Sequence, residues 1–503
     1  MPIARAWSMA LFGVRGIPVE IEADIGVGLP GTTLVGLPDT GLREAKDRVR
    51  SAVRNSGCEW PARKVTFGLS PANLPKVGSA YDLGIALAVL AAAGTIPSGK
   101  LVGTVLLGEL ALDGRIRPVR GVLPSVLGAR DNGLRRAVVP LDTLTEAGLV
   151  DGVEVLGAGS LAEVLAWCRG TVTLRSAPEP GGQAEPEVAD LADVTGQPEA
   201  RWALEVAAAG GHHLLLIGPP GVGKTMLARR LPGLLPPLST DEALEVTAVH
   251  SVDGSLAPDA PLVRTPPFIA PHHSISAAAL VGGGAQLAAP GAVSKAHRGV
   301  LFLDESCEFG ANRLESLRTA LEEGEVRLAR VRGVVEYPAR FQLVLATNPC
   351  PCAPRREADC ICSAATRRRY LGKLSGPLLD RVDITVPMRP VTAMHAHLAE
   401  QPETTATVRE RVVAARDRAR HRWAEHGWVT NADVPGPWLR TTITADTDAT
   451  ALLDHGLQRG FLSVRGADKC LRLAWTLADL AGRSAPGMDE VAAAMELRDR
   501  TAA

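Results

Sequence analysis

The chain has 503 residues, too many for one hydrophobic core, so roughly two to four domains are expected. Its 46% hydrophobic and 22% charged residues fit an ordinary globular protein and exclude a disordered or low-complexity chain. A formal net charge of −1 leaves no overall field to draw nucleic acid, so any such binding must come from a local basic patch. No apolar run approaches the roughly 20 residues that span a bilayer, which argues against a membrane partner. The apolar piece Trp7 to Val14 is short and is followed by Arg15, Glu20, Glu22 and Asp24, so no signal peptide is expected and the location is cytoplasmic. In that reducing compartment the eight cysteines argue against a disulfide framework.

Residues 1–172 read as an α+β unit. The stretches Val19 to Ala23 and Val65 to Leu69 alternate as strands, while Asp39 to Val53 and Tyr81 to Ala93 read as helices, the second apolar nearly all round and so buried. Asp113-Gly114 marks a hairpin between Gly108 and Ile116. Residues 173–189, with Pro178, Pro180, Gly181, Gly182 and Pro186, read as a linker.

The chemistry lies in residues 190–390. Gly218-Pro219-Pro220-Gly221-Val222-Gly223-Lys224-Thr225 follows the apolar run Leu214 to Ile217 and precedes Met226-Leu227-Ala228, so the order is strand, glycine-rich turn, helix. In that context the motif is a phosphate-binding loop. Backbone N–H groups from Gly218 to Met226 converge on the phosphates, Lys224 reaches the β- and γ-phosphates, and Thr225 offers a hydroxyl to Mg2+. ATP and Mg2+ are the expected cofactors. A second buried strand, Val300 to Leu303, delivers Asp304 and Glu305 at its end: Asp304 for the Mg2+ shell, Glu305 to polarise an attacking water. A third, Phe341 to Thr347, ends at Asn348. Glu325 to Tyr337 reads as a β-hairpin with a basic tip formed by Arg327, Arg330 and Arg332.

Cys350 and Cys352, then Cys360 and Cys362, make two C-x-C pairs. Four thiolates this close suit a closed tetrahedral Zn2+ site stapling a loop that lacks its own core. The one-residue spacing is tighter than in common zinc ribbons, so plain thiols and a redox-sensitive pair stay open. His272 and His273 have no carboxylate or cysteine nearby in sequence and are not read as metal ligands.

Several stretches resemble known families. Ser70-Pro71-Ala72-Asn73-Leu74-Pro75-Lys76, with Tyr81-Asp82-Leu83 and Gly108 to Gly114, resembles the proteolytic domain of Lon proteases, whose fold is of the ribosomal S5 domain 2 type. Those enzymes use a serine with a lysine base. Ser79 stands near the nucleophile's place, but Leu123 and Pro124 occupy the stretch where the lysine belongs, so a non-catalytic domain is expected. The lead-in Asp190 to Gly196 and the three strand-end motifs resemble AAA+ ATPases. The likeness implies that Asn348 is sensor 1, Arg381 the arginine finger reaching a neighbour's nucleotide, and Arg465 the sensor 2 arginine brought by a helical lid, residues 391–503, to the γ-phosphate.

The stretch Arg264 to Ser276 with Leu280 to Gly284, together with the hairpin, resembles the helix-2 insert and pre-sensor-1 hairpin of the clade of MCM helicases and magnesium chelatase. The wording Pro271-His272-His273-Ser274-Ile275-Ser276, Leu280-Val281-Gly282-Gly283-Gly284 and Ser375-Gly376-Pro377-Leu378-Leu379-Asp380-Arg381 is most similar to the ComM/YifB family of magnesium-chelatase-like AAA+ proteins. This implies a multidomain protein with a Lon-like α+β domain, an α/β AAA+ domain and an α-helical lid. It also implies a hexameric ATP-driven motor on single-stranded or branched DNA. The alternatives are a chelatase-type motor that remodels a protein or metal-insertion partner, and an ATP-dependent protease.

Overall fold

The computed structural model describes residues 3–35, 40–178, 189–257, 261–284, 288–330, 333–354, 357–374, 376–390, 402–442 and 447–499. Its first unit is built on an eight-stranded sheet. The order is Arg175–Ser176, Glu154–Ala158, Arg136–Pro140, Thr104–Leu106, Ala4–Phe12, Arg15–Gly26, Lys64–Ser70 and Gly31–Val35. In Arg15–Gly26 the buried Val19, Ile21, Ala23 and Ile25 alternate with Glu20, Glu22 and Asp24, the period of a strand with one covered face. Helix Asp82–Ala92, buried from Asp82 to Leu90, lies in the middle of that cover. Strand Arg175–Ser176 pairs antiparallel with Glu154–Ala158, so the sheet runs past residue 172 into the stretch read as linker. A two-residue edge strand is too short to give a periodic signal.

The second sheet is five parallel strands in the order Phe268–Ile269, Val300–Leu303, Gln342–Thr347, Leu214–Ile217 and Ile384–Pro387. These strands are apolar almost throughout because both faces are covered. Leu214, Leu216, Phe302, Val344, Ala346, Ile384 and Val386 face one core, which is closed by Val408, Val412, Trp423 and Trp475 of the C-terminal helices. Leu215, Leu301, Leu303, Leu343 and Leu345 face the other, closed by Leu280 and Val293 of the insert and by Val326, Leu328, Val335 and Tyr337 of the hairpin. The C-terminal helices include Thr405–Trp423, Val464–Leu480 and Met488–Asp499. Among the described residues no helix is long and apolar enough to cross a membrane.

Candidate nucleotide site

Parallel strands place all their C-terminal ends on one edge, and four of the expected residues meet there. After Leu214–Ile217 the chain arches through Gly218 to Gly223 into helix Lys224–Ala228. A Cβ on Gly218 would lie 2.6 Å from the Met388 carbonyl oxygen, and Gly223 has φ +95°, so both positions require glycine. The buried Lys224 Nζ donates to the carbonyl oxygens of Gly218 at 2.6 Å and Pro219 at 3.0 Å, and to Asn348 Oδ1 at 3.1 Å. Burial lowers its pKa, opposed by Asp304 and Glu305. Thr225 Oγ1 donates to Asp304 Oδ2 at 2.6 Å. An ammonium, a hydroxyl, a carboxylate and an amide therefore ring one space in front of the loop. Pro220, Gly221 and Met226 stay exposed at its rim, while Val222 is buried. This donor set fits a triphosphate with Mg2+: the cation lies at the loop, and the hydroxyl and the hard carboxylate oxygen lie together beside it.

Glu305 sits in the left-handed region at φ +49°, which costs a non-glycine residue on the order of 1 kcal/mol. Its carboxylate is 3.2 Å from His273 Nδ1. The His273 carbonyl in turn accepts from Arg313 Nη1 at 2.8 Å, and the His272 and His273 rings lie 4.1 Å apart. The sequence reading missed this contact. The available signal was topological: His273 follows strand Phe268–Ile269, which pairs beside Val300–Leu303, so both strands end next to each other.

Arg381 and Arg465 are not in this group. Arg381 follows helix Gly376–Leu379 and lies before Ile384–Pro387, at the N-terminal edge of the sheet. Arg465, in the first turn of Val464–Leu480, lies close enough to act on Arg381. That turn is fixed by Lys469, whose Nζ donates to the Val382 carbonyl at 2.9 Å and pairs with the buried Asp383 at 3.1 Å. Burial acts to raise the Asp383 carboxyl, yet Lys469 and His212 hold it well below the usual carboxylate range. A four-residue strand, roughly 13 Å, separates this edge from the phosphate loop. Arg465 therefore lies on the Arg381 side of the sheet rather than among the groups that ring the phosphate loop. The short register from Val464 to Lys469 pins it at the opposite edge. Arg381 is half-buried, donates to the Pro377 carbonyl at 2.5 Å and pairs with Glu322. Burial, then Arg318 and Arg465, lower its pKa.

Three family models cover most of the chain: magnesium chelatase, subunit ChlI over residues 190–396, subunit ChlI of Mg-chelatase over 21–143, and its C-terminal part over 402–498. An uncharacterized protein of Mycobacterium tuberculosis is 59% identical over 498 residues, 99% of each chain. The protein YifB of Escherichia coli is 42% identical over 482 residues, 95% of this chain and 94% of its own. The competence protein ComM of Haemophilus influenzae is 39% identical over 491 residues, 96% of this chain and 94% of its own. The chain belongs to the YifB/ComM family of magnesium-chelatase-like AAA+ ATPases.

The hairpin expected from Glu325 to Tyr337 is present as Glu325–Arg330 paired with Gly333–Pro338. Arg327 is not a free cation there: Glu325 at 2.5 Å, Glu336 at 3.5 Å and Glu323 at 3.7 Å surround it. Cross-strand and neighbouring acids neutralise it, so it does not add to a basic tip in this arrangement. Arg332 and the side chain of Arg330 lie outside the described residues. In the first unit the fully buried Lys76 donates to the Pro71 carbonyl, and Ser79 donates to Glu109. The Ser79 hydroxyl is thus held by an acid rather than by a lysine. The four clustered thiols do converge, with every pair of sulfurs within 4.8 Å.

Proposed function

We propose that this AAA+ protein is an ATP-hydrolysing ring motor acting on single-stranded or branched DNA, with each nucleotide shared between two copies. The observation that carries the shared site is the separation of its charges: Lys224, Thr225, Asp304, Glu305 and Asn348 occupy one edge of the sheet, Arg381 and Arg465 the other. In a closed ring the arginine edge of one copy would face the phosphate edge of the next.

 Six copies is the number the family likeness implies. Thr225 and Asp304 would hold a Mg2+ ion, whose chemistry when bound is to neutralise charge building on the phosphate oxygens. Lys224 binds the β- and γ-phosphates, Glu305 takes up the attacking water once His273 releases it, and Asn348 orients that water. Arg381 of the neighbouring copy stabilises the transition state, a contribution of about 10³-fold or more in this class of reaction.

Two points support DNA as the substrate. The competence protein ComM is similar over nearly its full length, and a ring would bring several copies of the hairpin tip at Arg330 and Arg332 to one pore, where repeated cations bind phosphates without reading sequence. The Lon-like unit, without its serine–lysine pair, is a scaffold in this reading. The test is ATP hydrolysis measured against single-stranded, duplex and forked DNA over a salt series. Stimulation by forked or single-stranded DNA that falls steeply with salt is expected. No response to any DNA would favour the chelatase-type remodelling motor, and digestion of casein with ATP would favour the protease.

A further inference from the structure

The cysteine loop has no part in the nucleotide chemistry, yet it begins two residues after Asn348. Its thiols are all free, with Sγ–Sγ separations of 3.4 Å for Cys350–Cys352, 3.5 Å for Cys350–Cys360 and 3.6 Å for Cys352–Cys360. These are far longer than a bonded pair at about 2.05 Å. They match a tetrahedron of sulfurs, which a Zn–S bond of about 2.3 Å sets about 3.8 Å apart. Cys362 completes the set, all four sulfurs lying within 4.8 Å of one another.

The backbone of the loop is held in an uncommon shape. Ala353 is held at φ +44°, a left-handed conformation that a non-glycine residue keeps only when its surroundings enforce it. The loop offers little else to enforce it: Cys350 is buried, but Cys352 and Ile361 are exposed, the latter at 91%.

We propose that Cys350, Cys352, Cys360 and Cys362 form a structural Zn2+ site that holds the Asn348 loop in position for catalysis. Both ends of the staple reach that loop. Cys350 lies two residues beyond Asn348, and helix Ala364–Leu371, just after Cys362, buries Tyr370 in the same core as Leu343 and Leu345 of the strand that ends at Thr347. Thr347 donates to Cys307 Sγ at 3.0 Å. The metal closes the intervening loop, so its loss frees Asn348 from both sides. The coupling to turnover rests on the ATPase reading above; the metal site itself does not.

The test uses the full-length chain, expressed with zinc and desalted. Metal analysis should find one zinc per chain and no stoichiometric iron, and Co2+ exchanged into the site should give the intense sulfur-to-metal absorption of a tetrathiolate. The Cys352→Ser variant, altered at an exposed position, and the Cys352→Ser/Cys362→Ser variant should lose the metal. Their kcat for ATP should fall about tenfold, the lower end of losses from disturbed metal sites, while ATP affinity stays near that of the parent. Retained affinity shows that the variants are folded. A parent chain without zinc and without the cobalt spectrum, or with iron instead, overturns the site. Metal-free variants with unchanged kcat overturn the coupling. A zinc-loaded parent with no ATPase activity would remove the ATPase reading and leave the metal site standing.

Discussion

The two edges of the parallel sheet are built on opposite principles. At the C-terminal edge the functional groups satisfy one another within the chain: Lys224 meets loop carbonyls and Asn348, Thr225 meets Asp304, and Glu305 meets His273. At the N-terminal edge Arg381 and Arg465 stand close enough to repel, an arrangement that burial and like charge both disfavour. The first edge closes on its own groups; the second pairs Arg381 with Glu322 and keeps a second cation, Arg465, nearby. On the proposed shared-site reading, a single chain holds both halves of the reaction centre but cannot bring them together.

The strongest way to break this comparison is Arg381→Ala. ATP turnover should fall about 10³-fold while nucleotide binding is retained. Mixing that variant with Lys224→Ala should recover part of the activity, since some junctions then pair an intact loop with an intact arginine. Failure of every mixing ratio to exceed the separate variants would place Arg381 outside the shared site. Next in size are two changes at the other edge. Lys224→Ala should abolish binding of a fluorescent ATP analogue at concentrations that saturate the parent, whereas Glu305→Gln should bind normally and turn over about 10²-fold slower. Normal hydrolysis by Glu305→Gln would remove the carboxylate from its role.

A smaller effect sharpens the picture of the resting edge. His273 and Glu305 are partly exposed, 35% and 54%, so their pairing is worth only about 0.2–1 kcal/mol. His273→Ala should therefore raise unstimulated ATP turnover by up to about fivefold, by freeing the carboxylate. A fall of the same size would instead make His273 part of the arrangement that positions water.

Much of the C-terminal edge was legible because its residues follow directly on apolar strands: Leu214–Ile217 leads to the glycine turn, Val300–Leu303 to Asp304, Gln342–Thr347 to Asn348. A motif and its supporting strand are local, and periodicity reports them. The His273–Glu305 contact and the neighbouring of Arg381 with Arg465 were not legible, since each depends on which strands lie side by side and on where a helix docks. The placing of Arg465 turns on Lys469 reaching Asp383 across the lid joint, a long-range ion pair that no spacing announces. The acids around Arg327 were hidden for a related reason: a run of arginines looks basic until the strand register sets Glu336 opposite. The short strand Arg175–Ser176 escaped notice because pairing alone defines it.

The smallest predicted effect concerns how the rest of the N-terminal edge neutralises its own charges. Glu245, on helix Thr240–Asp253, accepts from His297 Nε2 at 3.1 Å and from Arg298 Nη2 at 3.0 Å, just before strand Val300–Leu303. The His297 hydrogen bond and then Arg298 hold its carboxyl down at about 2, against burial. Arg340 also faces His297, and Glu242 shares Arg298. A carboxyl depressed in the folded state adds stability above its unfolded pKa, near 4.5, and loses it as pH falls from there toward 2. Because the Glu245 side chain is 47% exposed, solvent screening reduces the contribution to about 1 kcal/mol. Glu245→Gln should thus lower thermal stability slightly at pH 7 and flatten its decline between pH 5 and pH 3, measured by calorimetry. An unchanged slope would mean that Arg298 finds an equal partner in Glu242, and that this edge is neutralised by a shared pair of acids rather than by Glu245 itself.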